Sequence, residues 1–338
     1  MRKMFVLPIA CLVLALILTA CGPAFAARSH TFTAGLSGPE EHQFTIAMRI
    51  LEEILERKTD GRISLQLHIN SILGGEREVF EGVVMGSVNM SIAEASGVVP
   101  AWVKDAAVLS IPYLFPTRED AYDALDNFLL ARLAPLYEAA GVKLLGFVEL
   151  GYRHFTNNLR PIHSPADMEG MIIRVQEAPV WFALCEAVGA IATPISFSEL
   201  YTALQQGVVD GQENPLGSIF AIKIYEVQRH LTLNGHTYAA GSIQMNIDLW
   251  DSLSAEDQVL IQEAINEMIP RQRQVIAERN DGFIAYFKDN GVQIVLEPDM
   301  AAFIEATRNI GNLEHVRALF DDPTIIDDVK AFVANRNR

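Results

Sequence analysis

Two stretches of this chain follow one pattern, and that repetition restricts the fold more than any other feature. Glu78 to Asn89 and Glu199 to Asp210 each run as an amphipathic helix, a glycine and then a strand. Phe80 matches Tyr201, Gly86 matches Gly207, and Asn89 matches Asp210. Glycine just past a helix accepts the left-handed conformation that ends it. The units sit in a longer alternation of strand and helix patterns. His30 to Ala34, Ile63 to Ile69, Val88 to Ala93, Lys143 to Val148 and Met171 to Val175 read as strands, and Leu231 to Asn246 holds strand material. Gln43 to Lys58, Glu76 to Met85, Ala121 to Ala140, Val180 to Val188 and Phe197 to Gln206 read as helices. Such alternation specifies an α/β fold with largely parallel sheets. Helix–glycine–strand units also recur by chance in α/β folds, because such caps are common; the alternative reading of the repetition is two lobes of similar construction with a cleft between them. Open α/β sheets bind ligands beyond their strand C-termini, here near Glu94 and Asn214. A long helical pattern from Ser254 to Lys288, with Pro270 inside it, is long enough to run across both lobes.

The chain begins with an export leader. Arg2 and Lys3 precede an almost wholly apolar run from Met4 to Ala20, and Ala24, Phe25 and Ala26 form a small-residue cleavage pattern. Residues 1–26 therefore read as a signal peptide that sends the rest to the periplasm. Leu18, Thr19, Ala20 and Cys21 also fit a lipoprotein signal, which would leave the protein anchored through Cys21. Cys11 and Cys21 lie in the leader, so only Cys185 remains after cleavage and no internal disulfide can form. The leader holds two basic and no acidic residues; beyond it stand 24 basic against 42 acidic groups, net −18. That balance opposes binding to nucleic acid or to anionic lipid. An anionic ligand can bind only where particular cations override the overall field.

No serine-hydrolase elbow, zinc-protease helix, phosphate-binding P-loop or dinucleotide fingerprint occurs. No pair of histidines has metal-ligand spacing, and no metal or cofactor is expected. Binding signals are stronger. Ile172, Ile173, Arg174 and Val175 place an arginine inside an apolar strand. Burying a guanidinium needs a partner, and its planar fork matches a carboxylate. That partner is a ligand, an internal acid, or water at an exposed strand end; position alone weighs these evenly. Arg153, taken alone, reads as a surface arginine in a connection after a strand. Asp210 to Pro215 gathers polar side chains at a strand exit, in a sequence that also forms turns.

Taken together, Ile173 to Gln176, Phe197 to Pro215, Leu73 to Glu78, Met85 to Met90 and Pro112 to Phe115 resemble the solute receptors of tripartite ATP-independent periplasmic (TRAP) transporters, the DctP type. The resemblance covers essentially the whole chain beyond the leader. It implies a two-lobed periplasmic binding protein fold with a ligand cleft between the lobes and a long helix spanning both. Lobe one would comprise residues 27–151 plus 240–280, and lobe two residues 152–239 plus 281–338. It assigns the ligand-carboxylate contact to Arg174, a supporting arginine to Arg153, a ligand-facing asparagine to Asn214, an aromatic wall to Phe197 and a distal polar group to Glu94. His42, Gln176, His236 and Tyr238 are further hydrogen-bonding candidates. The implied ligand is a small organic acid, a sugar acid somewhat more than a dicarboxylate. The implied partners are the permease subunits of a TRAP transporter, served by a monomeric receptor. A receptor for a sensor kinase and a periplasmic enzyme on a related fold are the competing readings.

Overall fold

A computed structural model describes residues 28–336; the leader and Cys21 lie outside the described residues. Nine strands form one mixed sheet: β1 (His30–Gly35), β2 (Ile63–His68), β3 (Met90–Glu94), β4 (Val142–Asn157), β5 (Ile172–Val175), β6 (Ile191–Pro194), β7 (Gly211–Pro215), β8 (His230–Asn246) and β9 (Gln293–Val295). Their order is β2-β1-β3-β8-β4-β7-β5-β6, with β9 beside β8. The repeated sequence unit has a topological counterpart. β3 lies parallel to β1 and antiparallel to β8, while β7 lies parallel to β5 and antiparallel to β4. Gly86 and Gly207, which end the two matched helices, have φ of 78° and 68°, a conformation glycine enters without steric cost.

The sheet is less parallel than the sequence pattern implied, because two long strands tie its halves together. β4 and β8 pair antiparallel from Val142↔Asn246 to Asn157↔His230. One end of this ribbon carries β3 and the other carries β7 and β9. Its register shifts between Leu144 and Gly146, between Glu149 and Gly151, and between Arg153 and Phe155. Gly151, with φ of 115°, sits at one of these irregularities. The strand expected to end at Val148 therefore continues through Arg153, and that residue stands in a strand rather than in a surface connection.

The helix Gln43–Thr59 starts at His42, whose Nδ1 accepts the Phe44 N–H at 3.3 Å. It buries Phe44, Ala47, Met48, Leu51, Ile54 and Leu55, the face its periodicity specifies. The 35-residue helix Ala255–Asp289 is continuous through Pro270 and about 52 Å long. Its Ile261, Ile265 and Met268 join one apolar core with β1, β3 and the helix Gln43–Thr59. Its Phe283 and Phe287 join another with Leu200, Leu204 and Ile219. One helix thus packs into both halves. The residues after it also touch both. Met300–Thr307 packs on β8 and on the helix Val180–Ala187, whereas Thr324–Arg336 packs on Arg118–Ala124 and Lys104–Ser110.

Candidate functional site: a buried arginine pair between two sheet halves

The C-terminal ends of β3, β5 and β7 converge on β4 near Arg153, and together they bring two arginines into one buried region. Arg153, fully buried on β4, spends its whole fork on protein groups. Its Nε and Nη2 donate to the Glu213 carboxylate, the latter at 2.8 Å. Nη2 also reaches Asn214 Oδ1 at 3.1 Å, and Nη1 reaches Glu94 Oε2 at 2.9 Å. The Trp181 ring lies under the guanidinium at 5.1 Å, a cation–π placement. Burial opposes both charges of the Arg153–Glu213 pair, but their mutual attraction outweighs it. The arginine is held above and the carboxyl below its ordinary range. His236 Nε2 stands 3.2 Å from Glu213 Oε2 as a further support. Glu94 has the weaker share of Arg153, so burial dominates there and raises its pKa.

Arg174, on β5, is equally buried at 2 % exposure but has no such partner. Its Nε donates to the Ile195 carbonyl at 2.7 Å, and its Nη1 is buried without a hydrogen bond. No Asp or Glu oxygen lies within ion-pairing distance of it among the described residues. Burial pulls the guanidinium down to about 10, only partly offset by Glu213 and the more distant carboxylates. A buried charge held this way is costly unless something completes it. It faces a cavity of about 50 Å³ lined by Glu76, Arg77, Glu78, Val98, Arg174, Gln176, Glu177, Ile195, Ser196 and Phe197. The sheet halves touch across this cavity. Gln176 Nε2 donates to Glu94 Oε2, and the His42 and Phe197 rings meet edge to face at 5.4 Å.

Of the residues singled out in the sequence, Arg174, Gln176 and Phe197 line the cavity. Glu94 and Arg153 form the polar layer directly behind it. His42 stands at the edge as a helix cap against Phe197, and burial depresses its pKa to about 3, so it is neutral. Asn214 is one layer back, its amide shared between Arg153 and Gln212. His236 supports Glu213 from behind. Tyr238 lies elsewhere. It packs edge to face against Phe115, Tyr122 and Tyr152, and strand alternation puts Tyr152 on the face opposite Arg153. Two acids were not singled out. Glu213 is the main partner of Arg153, and Glu76 lines the cavity while accepting the Glu94 backbone N–H. Burial, then the nearby Glu94, raises the Glu76 carboxyl to about 7. Glu76 sits inside the family-like stretch Leu73 to Glu78, its only signal, whereas Glu213 also belongs to the polar cluster Asp210 to Pro215. Among the described residues, no group of His, Cys, Asp and Glu is placed to hold a metal ion.

A two-lobed α/β scaffold with one long shared helix, two long paired strands and, between the sheet halves, a buried arginine with no carboxylate partner is the architecture of a solute-binding receptor. The chain belongs to the DctP family, bacterial extracellular solute-binding protein family 7, which it matches over residues 35–312. It is 34% identical to a solute-binding protein of Verminephrobacter eiseniae over 84% of each chain. It is 31% identical to the 2,3-diketo-L-gulonate-binding periplasmic protein YiaO of Escherichia coli, over 85% of this chain and 86% of that one. A TRAP periplasmic solute-binding protein of Polaromonas, solved with bound D-erythronate, superimposes with a TM-score of 0.84 at 30% identity, covering 90% of this chain and 99% of that chain.

Proposed function

We propose that this receptor captures a small organic acid in the periplasm, holding the acid's carboxylate on Arg174, and hands it to the membrane subunits of a TRAP transporter. The observation that carries the assignment is the contrast between the two buried arginines. Arg153 is saturated by Glu213 and Glu94, whereas Arg174 keeps a buried, unbonded Nη1 at the cavity wall. A ligand carboxylate completes that fork with charge-assisted hydrogen bonds, and exclusion of water strengthens the pair. Arg153 is a supporting residue that fixes Glu213, Asn214 and Glu94 around the site. The relatives named for acid ligands, 2,3-diketo-L-gulonate and D-erythronate, support the same class of solute. Nothing in the site is arranged as a nucleophile with a base, so the reading is capture and release rather than turnover. Closure around the ligand is a hinge equilibrium biased by contacts made only in the closed form.

The test is thermal unfolding of the leader-free protein against a panel of organic acids, after bound ligand has been stripped. A ligand at about 100 times its Kd adds roughly 2.7 kcal/mol. Arg174→Ala should abolish the shift, and Arg174→Lys should nearly do so because an ammonium lacks the planar fork. A panel with no responding carboxylate, or an Arg174→Lys protein that binds as well as the parent, would overturn the assignment.

A further inference from the structure

A cavity of about 640 Å³ lies on the face of the β4–β8 ribbon opposite Arg153, with Gly151 and Tyr152 in its wall. Capture of an acid on Arg174 makes no use of it. Its volume is within the range of a small-molecule site. Phe115, Leu216, Leu233, Met300 and Ile304 give the wall its apolar part. Both halves of the sheet contribute. The segment between β3 and β4 supplies Tyr113, Phe115 and Arg118, while the end of β7 and the helix after it supply Pro215 and Leu216.

The polar side chains of this wall are mostly donors. His154 Nδ1 accepts the Gly235 N–H at 3.0 Å, which leaves the ring proton on Nε2. Burial, then His236 and Arg118, depresses its pKa to about 3, so the ring is neutral. Asn234 is fully buried; its Oδ1 lies 3.2 Å from His236 Nδ1, and its Nδ2 has no partner. Arg118 meets Glu149 Oε1 through Nε at 3.1 Å, and no other carboxylate pairs with its fork among the described residues. No Asp or Glu among the described residues lines the cavity. The segment that carries Arg118 is pinned to the opposite wall. Tyr113 donates its N–H to the His236 carbonyl at 2.8 Å and its hydroxyl to the Asn234 carbonyl at 3.3 Å. Its φ of 54° is left-handed, a backbone state that costs energy outside glycine and gathers at ligand clamps.

We propose that this cavity is a second binding site, for an apolar monocarboxylate held by Arg118 and His154, and that its occupant stabilises the form in which the two halves are together. The hydrophobic body fills the apolar walls. The carboxylate takes the free side of the Arg118 fork and the His154 Nε2–H in charge-assisted hydrogen bonds. A polyhydroxylated acid fits poorly, because its hydroxyls would be buried against carbon without partners. The halves already meet across the Arg174 cavity, through Gln176 with Glu94 and His42 with Phe197. An occupant that touches both halves from behind favours this spacing over any other, and such a preference shifts the hinge equilibrium. By linkage, an acid in the front cavity and an occupant behind the ribbon then strengthen each other. The second site itself does not depend on Arg174.

Calorimetric titration of the leader-free protein with 3-phenylpropionate, and with the neutral 3-phenylpropanamide, tests the site. The acid should bind, and the amide should bind at least about tenfold more weakly. Arg118→Gln should weaken the acid by about tenfold. Ile304→Trp should abolish binding by filling the cavity from a position that is 45 % exposed and so outside the core. Arg174→Met should leave 3-phenylpropionate binding unchanged, which separates this site from the front cavity. Spin labels on Ile72→Cys and Lys223→Cys, beside and on the walls of the front opening, read the hinge. Saturating 3-phenylpropionate should shift their distances toward shorter values, and should not do so when Ile304→Trp is added. Absence of binding, equal binding of the amide, binding that Ile304→Trp leaves intact, or binding that Arg174→Met removes overturns the site. Binding that leaves the label distances unmoved overturns its coupling to the hinge.

Discussion

Replacing each buried arginine by methionine should move the stability of the ligand-free protein in opposite directions. The charged form of Arg174 is disfavoured by burial, which holds its pKa at about 10, equivalent to roughly 3 kcal/mol against the buried cation. Methionine of similar length removes that penalty. It also loses the hydrogen bond to the Ile195 carbonyl, about 1 kcal/mol. The net expectation for Arg174→Met is a gain of roughly 2 kcal/mol. Arg153→Met instead leaves the buried Glu213 and Glu94 without their cation, a break that costs about 3–5 kcal/mol. With about 2.1 cal/mol/K of unfolding entropy per residue, a chain of this length moves its midpoint by about 1.5 °C per kcal/mol. Arg174→Met should therefore unfold about 3 °C higher than the parent, and Arg153→Met about 5–8 °C lower. Both should bind acids poorly. Scanning calorimetry of stripped, leader-free proteins at pH 8 measures all three. An Arg174→Met midpoint that falls as far as that of Arg153→Met would refute the reasoning, because it would mean that Arg174 is structurally satisfied without a ligand.

Glu76 makes stability depend on pH with a definite sign. Its folded pKa is raised, so its contribution is complete below the unfolded carboxyl range and is lost as pH rises through about 7. His42, His154 and His236, whose pKa values are depressed by desolvation, act oppositely below about pH 6.5, so the informative quantity is a difference. The midpoint of Glu76→Gln relative to the parent should climb between pH 5 and 8, and a flat difference would show that the carboxyl is unperturbed. Gly211→Ala should cost at least about 3 kcal/mol in urea unfolding, since a Cβ there would stand 2.2 Å from the Thr156 carbonyl oxygen across the β4–β7 pair. Gly282→Ala, in the long helix with nothing within 4 Å of the added carbon, should instead stabilise by about 1 kcal/mol; a loss there would place an unseen contact at that position.

Local periodicity was enough to read most elements. The apolar stripe of Gln43–Thr59, the Ser254 cap of the long helix and the glycine-ended helices before β3 and β7 are all short-range patterns. They depend on residues three or four apart, so an isolated sequence displays them. The repetition of the helix–glycine–strand unit carried further, because two similar units imply two similar half-sheets. An arginine within Ile172–Val175 was likewise legible as a buried charge in need of a partner. Which partner was not legible. Arg153 meets Glu213 because β4 and β7 pair with Arg153 opposite Pro215, a register set by long-range hydrogen bonding. The irregularity at Gly151 looks like a strand end in one dimension, and only the paired ribbon shows that β4 continues through it. Tyr238 and Glu76 differ for the same reason: the side of the sheet a residue faces, and the distant strand end it meets, are properties of the folded pair. Sequence alone determined the class of scaffold and the presence of an arginine within an apolar strand that needed a partner. Tertiary structure decided which arginine was already satisfied, because a buried charge is settled by neighbours that are far away along the chain.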